Sequence, residues 1–249
     1  MNDATPYEMS RLLQVFSRAH PAAKVIMLGI DDRWCVTGGS FRKLSPRPFP
    51  EWMYQGDRWS GYGEMFNLFA VQEAFKEFGV LTGLKQEDMG RDGYTRFVPP
   101  DDAYDPARAA IHLREAEPRV PGGERSGDGA WWRFPALETL RDDLLSLPET
   151  THKILFFVPY HRRLLSAPGS DGARVWDECK RRVVDLTRLT PNTVAVDFMR
   201  PSPITVVDDN YWDPQHYRVA VADQLALDLT AADRGQASPD YQVLSEPGP

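Results

Sequence analysis

Residues 24–32 read KVIMLGIDD, and this stretch decides the fold. Its apolar run over residues 25–30 is unbroken by polar residues, which is the pattern of a strand buried on both faces of a parallel sheet. Two acids, Asp31 and Asp32, follow the run at its carboxyl end. Because open α/β sheets hold their ligand sites beyond the carboxyl ends of the strands, these acids indicate where a site is to be expected.

The same pattern recurs twice further along the chain, with helical patterns between the strands. Residues 152–158 (HKILFFV) and 193–198 (TVAVDF) are the second and third predicted strands. Thr5 and Glu8 form a capping box around Pro6, which predicts a helix at the start of the chain. Strands that alternate with helices indicate an α/β fold with a parallel central sheet. Further helices are predicted over residues 62–78, 105–115, 137–147, 176–186 and 217–230.

The order of the elements predicts that part of the sheet is missing. Three strands make a thin sheet for a chain of 249 residues, and the chain opens directly into a helix. Right-handed βαβ connections lead us to expect a strand before that helix, and therefore one or more strands upstream of Met1. Residues 1–232 are predicted to form one domain with long irregular insertions over residues 35–132. The polar residues 233–249, which include prolines, are predicted to be a disordered tail.

The composition of the chain limits which partners and which cellular compartment are expected. A net charge of -7 and a pI near 5.3 argue against a nucleic-acid-binding protein. No apolar run reaches the roughly 20 residues that span a bilayer, and no signal peptide opens the chain, so the chain as given is expected to be soluble. An upstream anchor would instead place it in the periplasm or on a membrane. Cys35 and Cys179 are too few for a disulfide framework or a zinc site. We expect buried structural thiols, with a reactive thiol at Cys35 as the alternative.

The strongest chemical feature is the pair Asp213 and His216, in the loop before the last predicted helix. An aspartate three residues before a histidine can accept a hydrogen bond from one ring nitrogen and support the charge that develops when the other nitrogen acts as a base. The structural alternative is that Asp213 caps the last helix, with Pro214 in its first turn.

Two motifs resemble the SGNH (GDSL-like) hydrolase family. That family keeps an Asp-x-x-His pair before its C-terminal helix, which Asp213 and His216 match, and a Gly-x-Asn-Asp block after a central strand. Gly29-Ile30-Asp31-Asp32 is similar to that block, with Asp31 where asparagine is expected. The wording Trp-Asp-Pro-x-His resembles SGNH-like proteins of bacterial surface-polysaccharide O-acetylation, including relatives of the alginate acetylation machinery, many of which carry an N-terminal membrane anchor.

This resemblance implies a three-layer, flavodoxin-like fold and an esterase or O-acetyltransferase that acts on a carbohydrate or polysaccharide. It implies His216 as the base, Asp213 as the residue that orients it, and no cofactor or metal. Gly29 and Asp31 are expected in the oxyanion region, together with Asp3 at the place of the family's second block. Trp212 and Trp34 are the expected substrate walls, because indole faces suit sugars.

Two departures from the family pattern bear on activity. No Gly-Asp-Ser block ends a strand, since Ser40 follows no strand and Ser170 lies in a loop, so the chain as given is expected to be inactive. Asp31 would repel a developing oxyanion when ionised, whereas a protonated carboxyl could donate a hydrogen bond to it. Alternatively, Asp31 serves only as a turn residue after the strand.

Two other functions compete with the enzyme hypothesis. A non-catalytic domain that binds a glycan or a partner in an envelope assembly would explain both departures. The third hypothesis is a metal-dependent hydrolase. In it, one ion would be held by Asp31, Asp32, His161, Asp213 and His216. The default expectation for His161 is a surface residue beside two arginines, and for Asp208 and Asp209 it is solvated loop acids.

Overall fold

The computed structural model describes residues 4–39, 51–54, 59, 61–87, 90, 98–123 and 125–245. The chain divides into two compact units, of which one comprises residues 1–45 and 100–249 and the other residues 46–99. The second unit lies within the predicted insertions. In chain order, the α-helices and strands of the described residues are α1 (Pro6–Ala19), β1 (Val25–Ile30), α2 (Leu68–Leu81), α3 (Pro106–Arg114), α4 (Pro135–Leu145), β2 (His152–Phe157), α5 (Asp171–Leu189), β3 (Thr193–Asp197), α6 (Val219–Asp233) and β4 (Gln242–Ser245).

The sheet of the first unit has the strand order β1-β2-β3-β4. The first three strands are parallel, in the register Val25↔His152 and Lys153↔Thr193, and β4 is antiparallel to β3. The predicted α/β class is therefore confirmed, and the sheet is mostly parallel, with β4 as the antiparallel strand among those described. The reversal of strand order that defines a flavodoxin-like sheet does not occur among the described strands.

Helices cover both faces of this sheet. On one face, Leu28 of β1 and Leu155 of β2 share a core with the inward residues of α4 and α5, and Met9 and Leu13 of α1 pack against its edge. On the other face, Val194 and Val196 of β3 pack with α6. The capping box predicted for α1 is present, because Thr5 Oγ1 accepts from the Glu8 N–H at 3.3 Å and Glu8 Oε2 accepts from the Thr5 N–H at 2.8 Å.

β1 is buried on only one face, which corrects the prediction from its unbroken apolar run. Ile26, Leu28 and Ile30 are at most 9% exposed, whereas Val25 and Met27 are 47% and 50% exposed. The reason is that α6 packs over β2 and β3 and shares no core residue with β1. Among the described residues no strand pairs with the outer edge of β1. An apolar composition therefore did not distinguish a central strand from a half-covered edge strand.

The predicted disordered tail, residues 233–249, is wrong over most of its length. Asp233 ends α6, and Gln242–Ser245 form β4. Tyr241 is 3% exposed, and its ring centroid lies 5.4 Å from that of Phe198. One buried aromatic and one strand pairing thus order a segment whose composition is polar. Residues 246–249 lie outside the described residues.

The two cysteines form a disulfide, so the expectation of unpaired buried thiols is wrong. Cys35 and Cys179 are both fully buried, with their Cα atoms 5.5 Å apart. The bond joins the turn after β1 to α5 across 144 residues of sequence. Closing so long a loop stabilises the folded state by about 2–4 kcal/mol, mainly by restricting the unfolded chain. The number of cysteines could not reveal that these two meet.

Within the described part of the chain, no helix combines the length and the apolar composition that crossing a membrane requires.

Candidate active site

The acids after β1 meet the segment that follows β2. Asp32 Oδ1 accepts a hydrogen bond from the Tyr160 hydroxyl at 3.1 Å and another from Arg119 Nε at 2.6 Å. The Asp32 side chain is 15% exposed and Tyr160 is 6% exposed, so this carboxylate is largely shielded from water. Tyr160 directly follows the second predicted strand, so its place at this edge of the sheet could have been predicted. Nothing in the sequence indicated that Arg119 contacts Asp32.

The segment after β2 in turn holds the loop that carries Asp213 and His216. The backbone N–H of His161 donates to the Pro214 carbonyl at 3.0 Å. The Tyr211 hydroxyl donates to the Pro159 carbonyl at 2.7 Å. The loop between β3 and α6 is therefore fixed to the carboxyl end of β2, whose other neighbour is the end of β1. These contacts bring the two sequence motifs to one edge of the sheet.

Asp213 and His216 form the predicted pair. His216 Nδ1 lies 2.6 Å from Asp213 Oδ2, and Asp213 Oδ1 accepts from the backbone N–H groups of Gln215 at 2.8 Å and His216 at 3.0 Å. An ionised aspartate can only accept, so Nδ1 carries a proton and Nε2 is the nitrogen that can take one. The side chains are 41% and 35% exposed for His216 and Asp213.

The alternative that Asp213 caps the last helix is wrong. α6 begins at Val219 with Arg218 at the cap position, and Asp213 instead closes the turn of its own loop. Burial raises the pKa of Asp213, but the hydrogen bonds from His216 and from the loop N–H groups outweigh burial, so its pKa lies below the ordinary value. Asp213 is therefore a carboxylate at neutral pH, suited to stabilising a positive charge on His216.

A second histidine–aspartate pair was not predicted. His161, expected on the surface, has a fully buried side chain whose Nε2 lies 3.1 Å from Asp208 Oδ1. Its Nδ1 accepts from the Arg163 N–H at 3.3 Å, so Nε2 carries the proton and donates to Asp208. The ring packs edge-on against Tyr211, with centroids 5.1 Å apart. Two neighbouring arginines suggested exposure, but the ring points away from solvent.

Asp31 was predicted either for the oxyanion region or as a turn residue after β1. Its Oδ1 accepts from the Arg33 N–H at 3.0 Å, which is the contact expected of a turn residue. Burial, together with the neighbouring Asp32, raises the pKa of Asp31 to about 6. Gly29 packs closely, because an added Cβ would lie 3.1 Å from Val158 Cγ1. Asp3, predicted for the oxyanion region, lies outside the described residues.

The two predicted substrate walls differ. Trp34 is 2% exposed and belongs to the hydrophobic core, so it is not a wall of an open site. Trp212 is partly exposed, and Tyr104 packs against it in a T-shaped contact with centroids 5.1 Å apart. The Arg218 guanidinium lies 4.3 Å from the centroid of the Tyr104 ring. An aromatic pair bordered by a cation therefore adjoins Asp213.

The remaining candidates have other roles or fall outside the described residues. Ser170 caps α5, because its Oγ accepts from the Ala173 N–H at 3.2 Å. Ser40 lies outside the described residues. Across the described ranges, no three histidine, cysteine or acidic side chains are grouped so that they could hold a metal ion. The metal-hydrolase hypothesis thus has no support from this part of the chain.

The fold and this edge together define an α/β protein with a mostly parallel sheet and an exposed histidine–aspartate pair beyond its carboxyl end. No family model, no curated protein and no solved structure matches the chain.

Proposed function

We propose that this protein is an acyl-ester enzyme of the SGNH type, an esterase or an O-acetyltransferase. One observation carries the proposal. The His216 imidazole is hydrogen-bonded to the Asp213 carboxylate on the loop between β3 and α6, at the carboxyl edge of the sheet. A base oriented in this way is the part of the machinery that activates a hydroxyl nucleophile.

The proposed reaction follows from the atoms of the pair. His216 Nε2 takes the proton of a serine hydroxyl while the serine Oγ attacks the acyl carbon. The imidazolium then returns the proton to the departing alcohol, which leaves an acyl-serine. Water completes hydrolysis, whereas a sugar hydroxyl completes acyl transfer. Asp213 stays ionised throughout, consistent with its lowered pKa, and stabilises the imidazolium.

We propose that the serine is supplied by a strand that precedes α1 in a longer reading frame. The outer edge of β1 supports this, because no strand of the described residues pairs with it. A parallel strand on this edge would end at the same rim as Asp31. A chain without that strand is expected to hydrolyse no ester.

The proposed substrate is an acylated carbohydrate. Trp212 and Tyr104 support this assignment, because flat aromatic faces with a polar border suit sugar rings. The buried disulfide between Cys35 and Cys179 supports a setting in an oxidising compartment, such as the periplasm or the cell exterior, where such bonds persist.

A second candidate function, non-catalytic glycan binding, is favoured by Asp31. A carboxyl at this place removes the amide donor expected near an oxyanion, and losing one such donor costs about 3–4 kcal/mol of transition-state stabilisation. The same aromatic pair, Trp212 and Tyr104, would then bind the sugar without any reaction.

The test uses the protein expressed from its longest natural reading frame. A biotinylated fluorophosphonate, which reacts preferentially with activated serines, is expected to label one serine upstream of α1, as mapped by mass spectrometry. His216→Ala should abolish labelling, whereas His112→Ala, an exposed histidine on α3, should not. Labelling that survives His216→Ala would contradict the proposal. Absent labelling, absent acetyl-ester hydrolysis and retained binding to a glycan array would establish the second candidate instead.

A further inference from the structure

The surface of α2 is unusually apolar for a soluble helix. None of its residues is buried, and Leu68, Phe75, Phe78 and Leu81 are 74%, 73%, 60% and 80% exposed. Large apolar side chains scattered singly on a surface need no explanation, but a contiguous set indicates an interaction site. Residues 62–84 contain ten of the 22 exposed large apolar side chains of the described chain.

α2 is nevertheless a regular and well-capped helix. Asn67 Oδ1 accepts from the Ala70 N–H at 2.8 Å at its start, and Gly83 adopts φ +74° just beyond its end. A helix of 14 residues is marginal in water on its own, and most of the stability of such helices comes from packing their apolar face. We therefore expect the exposed apolar face of α2 to pack against a partner.

The spacing of the exposed residues indicates what kind of partner fits. Leu68, Val71, Phe75 and Phe78 follow one another at i, i+3, i+7 and i+10, which places them on a single seam. This is the a/d pattern through which two helices pack side by side. Two of the four seam residues are aromatic and two are aliphatic, so the seam has ridges and grooves of the kind that pack against another helix.

The charges of α2 lie away from that seam. Glu73 and Lys76 form an ion pair with each other at 2.5 Å, and Glu77 lies on the same outer side. Interfacial helices that bind anionic bilayers carry lysine and arginine on this side, whereas here the acids outnumber the single lysine. The charge pattern therefore argues against a lipid surface as the partner.

We propose that the seam of α2 packs against α2 of a second copy of this chain to form a homodimer. The positions that flank the seam in a helix pair are Gln72, Ala74, Gly79 and Leu81, none of which is charged. Two identical copies therefore meet no like-charge repulsion beside their contact, although the protein has a net charge of -7. This inference is independent of the proposed enzymatic activity.

Sedimentation equilibrium of the full chain tests the proposal, with a matched control on the same helix. The wild type is expected to sediment as a dimer. The double variant Phe75→Glu/Phe78→Glu should weaken dimerisation by roughly 100-fold or more, since buried aromatic anchors dominate such contacts. Phe69→Glu places the same charge on the outer side, where Phe69 is 53% exposed, and should leave the dimer intact.

A second measurement, hydrogen exchange of the wild type, tests the proposal even if the double variant loses helical structure. In the wild type, amide protection of residues 68–81 should rise with protein concentration across the dimerisation range. A monomeric wild type overturns the proposal, and so does a dimer that persists in Phe75→Glu/Phe78→Glu. Protection that does not depend on concentration would show that another part of the chain covers the helix. Protection that appears only with phosphatidylcholine vesicles would show that lipid does.

Discussion

The two histidine–aspartate pairs of the first unit use the same chemistry in different surroundings. His161 has no exposed side-chain surface, and both of its ring nitrogens have protein partners, the Asp208 carboxylate and the Arg163 N–H. The side chain of His216 is 41% exposed, and Asp213 holds its Nδ1. His161 lies in the segment after β2, and its partner Asp208 lies on the same loop between β3 and α6 that carries Asp213 and His216.

This difference indicates a structural role for the pair of His161 and a chemical role for the pair of His216. A buried imidazole bonded at both nitrogens is locked in one tautomer, and burial lowers the pKa of His161 despite the nearby Asp208, so it stays neutral. An imidazole that is partly exposed and oriented by a carboxylate can exchange protons with a substrate. We therefore expect changes in the pair of His216 to affect turnover, and changes in the pair of His161 to affect stability.

The largest effect is expected from Asp213→Asn in the protein from the full reading frame. The asparagine cannot fix the tautomer of His216 or support its positive charge, so kcat for p-nitrophenyl acetate should fall roughly 10³- to 10⁴-fold. The free energy of unfolding should change by less than about 1 kcal/mol, because the pair is partly exposed. Asp209→Asn, four residues earlier in the same loop, is the control. A loss smaller than about tenfold would break the assignment.

Removal of the disulfide should affect stability alone. Cys35→Ala/Cys179→Ala is expected to lower the free energy of unfolding by about 2–4 kcal/mol, measured by urea denaturation. The bond touches neither histidine pair, so the variant should keep its turnover at temperatures where it is folded. Equal stability of the wild type and the variant would show that these cysteines do not pair in solution.

The pair of the buried His161 and the half-exposed Asp208 is expected to give the next largest loss of stability. His161→Asn should lower the free energy of unfolding by about 2–3 kcal/mol, since it removes a packed ring and the bond to Asp208. His161→Gln, whose amide can replace the Nε2 donor, should lose less. His112→Asn on the exposed side of α3 is the control. Wild-type stability of His161→Asn would contradict a structural role for this pair.

The same pair predicts an acid dependence of stability. The folded protein keeps His161 neutral, whereas in the unfolded chain it takes up a proton below its ordinary pKa of about 6.5. The unfolded state then binds more protons, so stability should fall as the pH drops below that value. His161→Gln should flatten this part of the urea-denaturation profile, and an unchanged slope would show that another group causes it.

The smallest effect is expected from Asp31→Asn, and it has the opposite sign. The folded pKa of Asp31 is raised to about 6, so its ionisation costs stability as the pH rises from about 4 to about 6. Above that range, Asp31→Asn should stabilise the protein by about 2 kcal/mol, and at lower pH it should have no effect. Equal stabilisation at both ends of the range would argue for a packing effect rather than for ionisation.

The sequence was sufficient for most of the helices, for the three parallel strands and for the pair of Asp213 and His216, but not for β4. The capping box of α1, the three parallel strands and the short spacing of Asp213 and His216 are local signals, and local signals survive folding. What it could not reveal depends on contacts between distant segments. The pairing of Cys35 with Cys179 is one example, and the burial of Tyr241 is another.

Two predictions of burial were wrong, for β1 and for His161, because they were drawn from local composition alone. The apolar run of β1 is the same whether one face or two are covered, and only the position of α6 decides this. His161 follows a strand and precedes two arginines, and only the loop that reaches back to it from β3 makes it buried. Both errors concern the surroundings of a residue, whereas the element type was correct in each case.

The measurement that tests this account most directly compares His216→Ala with His161→Asn in the protein from the full reading frame, in one pair of assays. Acetyl-ester turnover is measured at a low temperature where both variants are folded, and the free energy of unfolding is measured by urea denaturation. The account predicts that His216→Ala is inactive with wild-type stability, and that His161→Asn is less stable but still turns over ester. An active His216→Ala, or an inactive His161→Asn with wild-type stability, would contradict it.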